Sequence, residues 1–171
     1  MPIIILIVVI VVSIIIYFRN HIKRTYYESG ELGFETPYKN GKKHGIEKQY
    51  RFDGGLMIEI PYIKGNKHGI EKWYYVSGEL WMEWPFVNDK RHGLSKEYYI
   101  TGELKSERLY VDDKLHGIGK TYYISGQLEY DMQWDHGELT CTNNYNENGK
   151  LLKTSIRMMT WTSRSLINLS S

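Results

Sequence analysis

Six histidines are the residues of this 171-residue chain best suited to proton transfer or metal ligation. Four of them, His44, His68, His92 and His116, each precede a glycine and stand 24 residues apart. A general base is needed once, with partners that break any surrounding pattern. A histidine that recurs at a fixed interval belongs instead to a repeated backbone motif. Its imidazole bonds near a turn, and the glycine after it gives the chain freedom. On equivalent strands two apart in a sheet, neighbouring histidine Cα atoms would lie roughly 10 Å from one another. Zinc ligand atoms sit about 2.0–2.1 Å from the metal. No cysteine pair or Asp/Glu cluster accompanies these histidines, so no metal site is expected. His21 and His136 are single cases and read as solvated.

The remaining reactive groups are equally plain. Asp112-Asp113 reads as a turn, and Glu129 with Asp131 as the polar face of a strand. An acid/base pair needs a concave, water-poor pocket, which a single-layer sheet seldom encloses. Cys141 lies in Thr140-Cys141-Thr142 without an adjacent histidine, and reads as a free thiol. Gly65-Asn66-Lys67-His68-Gly69 lacks the strand–loop–helix context of a phosphate loop. No catalytic residue, metal or cofactor is therefore expected.

The elements that carry these residues repeat. Tyr27-Glu28-Ser29-Gly30-Glu31-Leu32 returns at Tyr75–Leu80, at Tyr99–Leu104 and, with Gln127, at Tyr123–Leu128. Gly30, Gly54, Gly78, Gly102 and Gly126 are 24 residues apart, and Gly149 follows after 23. Four residues before these six glycines stand Tyr26, Tyr50, Tyr74, Tyr98, Tyr122 and Tyr145. Between the glycines lie tight-turn signals: Asn40-Gly41, Gly65-Asn66, Asn88-Asp89, Asp112-Asp113 and His136-Gly137. The last pair falls in the turn and is not a fifth His-Gly element. The stretches between turns alternate with period 2. Leu80, Met82, Trp84 and Phe86 point one way, and Trp81, Glu83, Pro85 and Val87 the other. This predicts five hairpins, about ten strands, in an elongated single-layer antiparallel meander.

The recurring Tyr-Tyr-x-Ser-Gly-Glu-Leu and Asn-Gly-Lys-x-His-Gly-Ile closely resemble the variant MORN repeat, found in proteins grouped as YwqK-type antitoxins. The resemblance covers about Tyr26 to Leu152. It implies an extended sheet of hairpins used as a binding surface, in some families near membranes. It also implies an antitoxin-like role, with a toxin as the partner. The second unit (Asp53-Gly54-Gly55) and the shortened fifth depart from the pattern.

Residues 1–24 read as an anchor and its flank. Ser13 is the only clearly polar side chain from Ile3 to Phe18. As a helix, Pro2 to Phe18 would span roughly 25 Å, the short end for a bilayer. The basic start and small-residue cleavage site of a signal peptide are missing. One transmembrane helix is therefore expected over residues 2–18, with Arg19, Lys23 and Arg24 as a lipid-facing flank. Those charges place the repeat domain in the cytoplasm.

Charge and rings bound the partner. Residues 25–154 carry 17 Lys and Arg against 20 Asp and Glu, a net of −3, which suits neither nucleic acid nor an anionic leaflet. Aromatic residues make up 14% of the chain, and 15 of them are tyrosines. The recurring tyrosines read as core. Trp73, Trp81, Trp84 and Trp134 occur in single units, so with Phe86 they are the candidate partner-binding rings. Beyond the array at 25–152, residues 153–171 read as a cap or tail, with Ile156, Met158, Met159 and Trp161 folding back. The combined expectation is a non-catalytic, membrane-anchored repeat protein that binds another protein. The alternative is a lipid tether using the anchor and its basic flank.

Overall fold

The computed structural model describes residues 2–157. An apolar helix, α1 (Pro2–Arg19), runs directly into β1 (Asn20–Tyr26). The first full unit is β2 (Leu32–Lys39), β3 (Lys42–Lys43) and β4 (Gly45–Tyr50). It returns as β5 (Leu56–Ile63), β6 (Asn66–Lys67) and β7 (Gly69–Tyr74), then as β8 (Leu80–Val87), β9 (Lys90–Arg91) and β10 (Gly93–Tyr98). The fourth copy is β11 (Leu104–Val111), β12 (Lys114–Leu115) and β13 (Gly117–Tyr122). The last is β14 (Leu128–Asp135), β15 (Glu138–Tyr145) and β16 (Leu151–Ile156). All 16 strands form one antiparallel sheet. The twelve longer strands follow one another in chain order, and β3, β6, β9 and β12 pair only with the strand before them.

Two local devices produce the meander. At one edge of the sheet, both turn residues have positive φ, as in Asn88 (49°) with Asp89 (69°) and His136 (49°) with Gly137 (94°). Such turns match the twist of a hairpin. At the other edge, the Tyr-x-Ser-Gly-Glu loops close through Gly78 N–H to Tyr75 O (3.1 Å) and Tyr75 N–H to Glu79 O (2.9 Å), with Gly78 at φ 100°. The ladder slips by one residue beside every recurring tyrosine, as between Trp73 and Tyr74.

The His-Gly elements interrupt the return strand. The His68 N–H donates to Pro61 O at 3.0 Å, and Gly69 adopts φ 116°. A Cβ at Gly69 would lie 3.0 Å from Cγ of Pro61. Glycine is thus required there twice, by the backbone and by the proline ring. The fifth unit has no such break, and β15 runs on for eight residues.

Among the described residues, Ile58, Ile60 and Phe86 are the buried hydrophobic ones, and Thr36, Glu47, Glu71, Ser95 and Ser106 the buried polar ones. Strand register puts all eight on one face, hereafter the buried face. Units are tied along the backbone. Gly65, Asp89, Asp113 and Gly137 N–H groups donate to Lys43, Lys67, Arg91 and Leu115 carbonyls of the preceding unit. Hydroxyls of Tyr27, Tyr75, Tyr99 and Tyr123 donate to the carbonyls of Tyr50, Tyr98, Tyr122 and Tyr145. In the irregular second unit Arg51 replaces the tyrosine, and its guanidinium makes the same bridge to Tyr74 O.

Three sequence expectations change. Side chains of Ile3–Val12 and Ile14 are 46–71% exposed, so no other part of the described chain covers them. Yet among the described residues no helix is long and apolar enough to cross a membrane. The expected transmembrane helix is met as an apolar helix, not as a span. The array begins before the boundary drawn at 25, since Lys23 and Arg24 of the expected flank belong to β1, paired with β2. The last strand reaches Ile156, past the boundary drawn at 152. The fold-back of Met158, Met159 and Trp161 lies outside the described residues.

Candidate binding surface

The face opposite the buried one is uncovered and carries aliphatic rows beside rows of Lys and Glu. Ile22, Ile46, Ile70, Leu94 and Ile118 recur every 24 residues and are 44–56% exposed. The first four sit cross-strand from Pro37, Pro61, Pro85 and Leu109. Two residues beyond the last three of these partners, on the same face, are exposed Ile63, Val87 and Val111. Successive units stand two strands apart, about 10 Å. The result is an open face with aliphatic rows running across the sheet. Contiguous exposed apolar surface on this scale marks a contact site.

A polar ladder borders the rows. Tyr50, Tyr74, Tyr98 and Tyr122 donate their hydroxyls to Glu35, Glu59, Glu83 and Glu107 on the adjacent strand at 2.8–3.1 Å. Tyr145 does the same to Asp131 at 2.8 Å. Lys48, Lys72 and Lys120 stand 3.7–4.0 Å from Glu59, Glu83 and Glu107. Burial, and then the bonded carboxylate, pushes Tyr74, Tyr98 and Tyr122 up to about 12. Arg24 and Tyr50 hydrogen bonds hold the Glu35 carboxyl below its usual range. The recurring tyrosines expected as core are therefore rungs whose hydroxyls fix neighbouring strands.

The five candidate rings lie elsewhere. Trp73, Trp84, Phe86 and Trp134 all stand on the buried face, and Phe86 is itself buried. Trp81 does not point the opposite way. It is the extra residue of the bulge, and its ring meets Trp73 edge-on at 6.4 Å and Tyr75 at 5.8 Å. Trp84 lies 6.4 Å from Trp73. Trp134 occupies the position of Tyr38, Tyr62, Phe86 and Tyr110, so the repeat does place an aromatic there. A Cβ at Gly119 would be 3.5 Å from its Nε1.

Beside these rings the buried face holds ion pairs. Lys43 Nζ lies 2.6 Å from Glu47 and 4.7 Å from the Tyr62 ring centre. Lys67 Nζ lies 2.6 Å from Glu71 and 4.8 Å from that of Phe86. Thr36 and Trp73 complete the two carboxylates at 2.8 and 2.7 Å. Burial raises the Glu47 pKa, but Lys43, Thr36 and Gln49 outweigh it and hold the carboxyl below its usual value.

Arg24 Nε donates to Glu35 at 2.8 Å, so that cation of the expected flank is committed to the sheet. More cations gather where α1 meets the turn edge. One 300 Å³ hollow is lined by Lys39, Asn40, Lys42, His44 and Lys64, and a neighbouring one by Arg19, Asn20, Lys39 and Asn40. Histidine rings line the same edge. His92 Nδ1 faces Asp112 at 3.6 Å, and His116 faces Asp135 at 3.9 Å. Among the described residues, one group of three His, Cys, Asp or Glu is close enough to share an ion: His116, Asp135 and His136. Spacing between equivalent histidines could not reveal it, because His136 is not an equivalent. It is a turn residue of the next hairpin, placed beside His116.

The aliphatic rows were readable only in part. The isoleucine after His-Gly recurs visibly, but which face of a lone sheet stays open depends on where the other side chains bury.

The repeat family described as MORN repeat variant matches residues 22–40, 43–64, 67–88, 91–112 and 115–136. No curated protein sequence matches the chain. Solved structures similar to the chain include one of TarM and one of an S. aureus TarM mutant in complex with Fondaparinux, alpha-GlcNAc-glycerol and UDP. Each is 15% identical, with a TM-score of 0.29 over 86% of this chain. The chain spans 22% of the length of each.

Proposed function

Because the chain belongs to the MORN repeat variant family, we propose that it is a non-catalytic recognition protein whose open sheet face holds another protein. The observation that carries this reading is the row of exposed Ile46, Ile70, Leu94 and Ile118, one per unit. Strands fixed by the Tyr–Glu ladder offer a partner aliphatic contacts at a constant interval of about 10 Å. No bond is made or broken. Burying one such half-exposed side chain is worth about 1 kcal/mol, so affinity comes from several rows engaged together. The resemblance supplies a toxin as partner class, and an antitoxin would occupy the toxin with this face. In the same proposal α1, apolar on every side, inserts part-way into a membrane and holds the array beside it.

A second reading, a lipid tether, draws on the hollows lined by Arg19, Lys39, Lys42 and Lys64 beside the helix end. Each such cation contributes about 1 kcal/mol toward an anionic leaflet.

One comparison tests both. The full chain in detergent is used to capture proteins from its own cells, beside Ile70→Asp/Leu94→Asp and Lys39→Ala/Lys42→Ala/Lys64→Ala forms. The recognition reading expects the partner to be lost only with the apolar pair changed. Identical captures from all three forms would sink it. If the lysine form alone loses phosphatidylserine vesicles, the tether reading gains.

A further inference from the structure

The His116, Asp135 and His136 cluster has no part in that reading. His136 Nδ1 lies 2.5 Å from Asp135 Oδ1, and His116 Nδ1 lies 3.9 Å from the same oxygen. The two imidazoles meet edge-on with centres 5.5 Å apart. One donor atom from each residue falls within 4.8 Å of the others. Ligands held at about 2.0–2.1 Å in a tetrahedron stand about 3.3 Å from one another. The observed separations bracket that value, so small side-chain rotations complete the geometry. A hollow of 240 Å³ lined by Val111, Lys114, His116 and His136 opens beside the two imidazoles.

From this geometry we infer that His116, Asp135 and His136 bind a divalent transition-metal ion of the zinc class. Two imidazoles and a carboxylate suit such ions, and water fills the remaining position. Lys114 lines the same hollow, and Asp135 offsets its charge.

The other steps of the array lack the set. Where His116 faces His136, His44 Nδ1 accepts the Lys64 N–H at 3.4 Å and His92 faces Asp112. Asp113 is engaged by the Arg91 N–H at 2.9 Å. Two of those steps also carry a Lys–Glu pair on the buried face. Between the fourth and fifth units these positions are Leu115 and Gly119. The metal would clip the two units where the cation–ring contacts of the earlier joints give out.

The test is calorimetric titration of Zn²⁺ into the chelator-stripped full chain in detergent, with melting followed in parallel. One ion should bind per chain and raise the melting temperature. His116→Ala and His136→Asn should each weaken binding at least about tenfold. Asparagine suits the positive φ of position 136 and so preserves the turn. His92→Ala, which removes a His–Asp pair without a third ligand, should bind like the parent. Absence of saturable uptake overturns the assignment, as does parental affinity in either the His116 or the His136 variant.

Discussion

The first two joints of the array and the last are built on the same backbone with opposite side-chain chemistry. Around Glu47 and Glu71, a lysine from the two-residue strand grips a buried carboxylate and covers an aromatic ring of the next strand. One unit later Arg91 keeps the ring contact, 4.4 Å from the centre of Tyr110, while Ser95 replaces the carboxylate. At the last joint Leu115, Gly119 and Trp134 hold no charge. The turn-to-carbonyl bonds nevertheless stay at 2.8–3.0 Å at all four joints. The difference teaches that main-chain ties and positive-φ glycines define the unit, while its buried face accepts either charge or hydrocarbon. That agrees with the modest net worth of ion pairs taken out of water.

The largest effect should come from the glycines. At Gly69, φ is 116° and the Pro61 ring is 3.0 Å from an added Cβ, whereas at Gly117 φ is 70° and Leu109 stands off at 3.7 Å. Backbone strain alone costs about 1–3 kcal/mol, and overpacking adds a similar amount. Gly69→Val should therefore destabilise by about 3–5 kcal/mol and Gly117→Val by about half as much, read from urea melts. Equal losses would show that the proline contact is irrelevant.

A smaller contrast lies in the polar groups. Glu71→Ala strands the Lys67 ammonium and the Trp73 indole N–H, at a cost of about 2–3 kcal/mol. Ser95→Ala removes one hydroxyl bond to Arg108 O and should cost about 1 kcal/mol. The ranking fails if the two variants melt together.

The smallest effect tests what the two regions share. Tyr74, Tyr98 and Tyr122 are raised from an ordinary value of 10.0 to about 12. Their neutral hydroxyls stabilise the fold fully below pH 10, and that contribution drains away as pH climbs from 10 to 12. Ultraviolet titration should show a late-ionising group of tyrosines in the parent and one fewer in Tyr98→Phe. Uniform ionisation near pH 10 would mean that the ladder is not formed.

Much of this architecture could be read from spacing. The 24-residue period, the turn pairs and the recurring tyrosines all give themselves away, since turns and alternation are local. Trp81 was misplaced because a bulge shifts it to the Trp73 side, and a bulge depends on pairing with a distant strand. The Pro61–Gly69 contact was hidden for the same reason. His136 looked solitary because its neighbour lies 20 positions back, across a hairpin. Residues whose meaning is set inside one unit were legible. Those defined by the next unit were not.

The tyrosine bridge has one more consequence. Every regular unit gives the following one the same hydroxyl bond that it receives from its predecessor, and Arg51 shows that reach matters more than residue type. The joint is therefore identical to itself on both sides. Duplicating or excising 24 residues in register would restore the same hydroxyl and turn-to-carbonyl bonds at the new joint. It would change the length of the ruler by two strand spacings or about 10 Å. Reach toward a partner is thus the property that this lineage can alter in a single recombination event, leaving the chemistry of each rung intact.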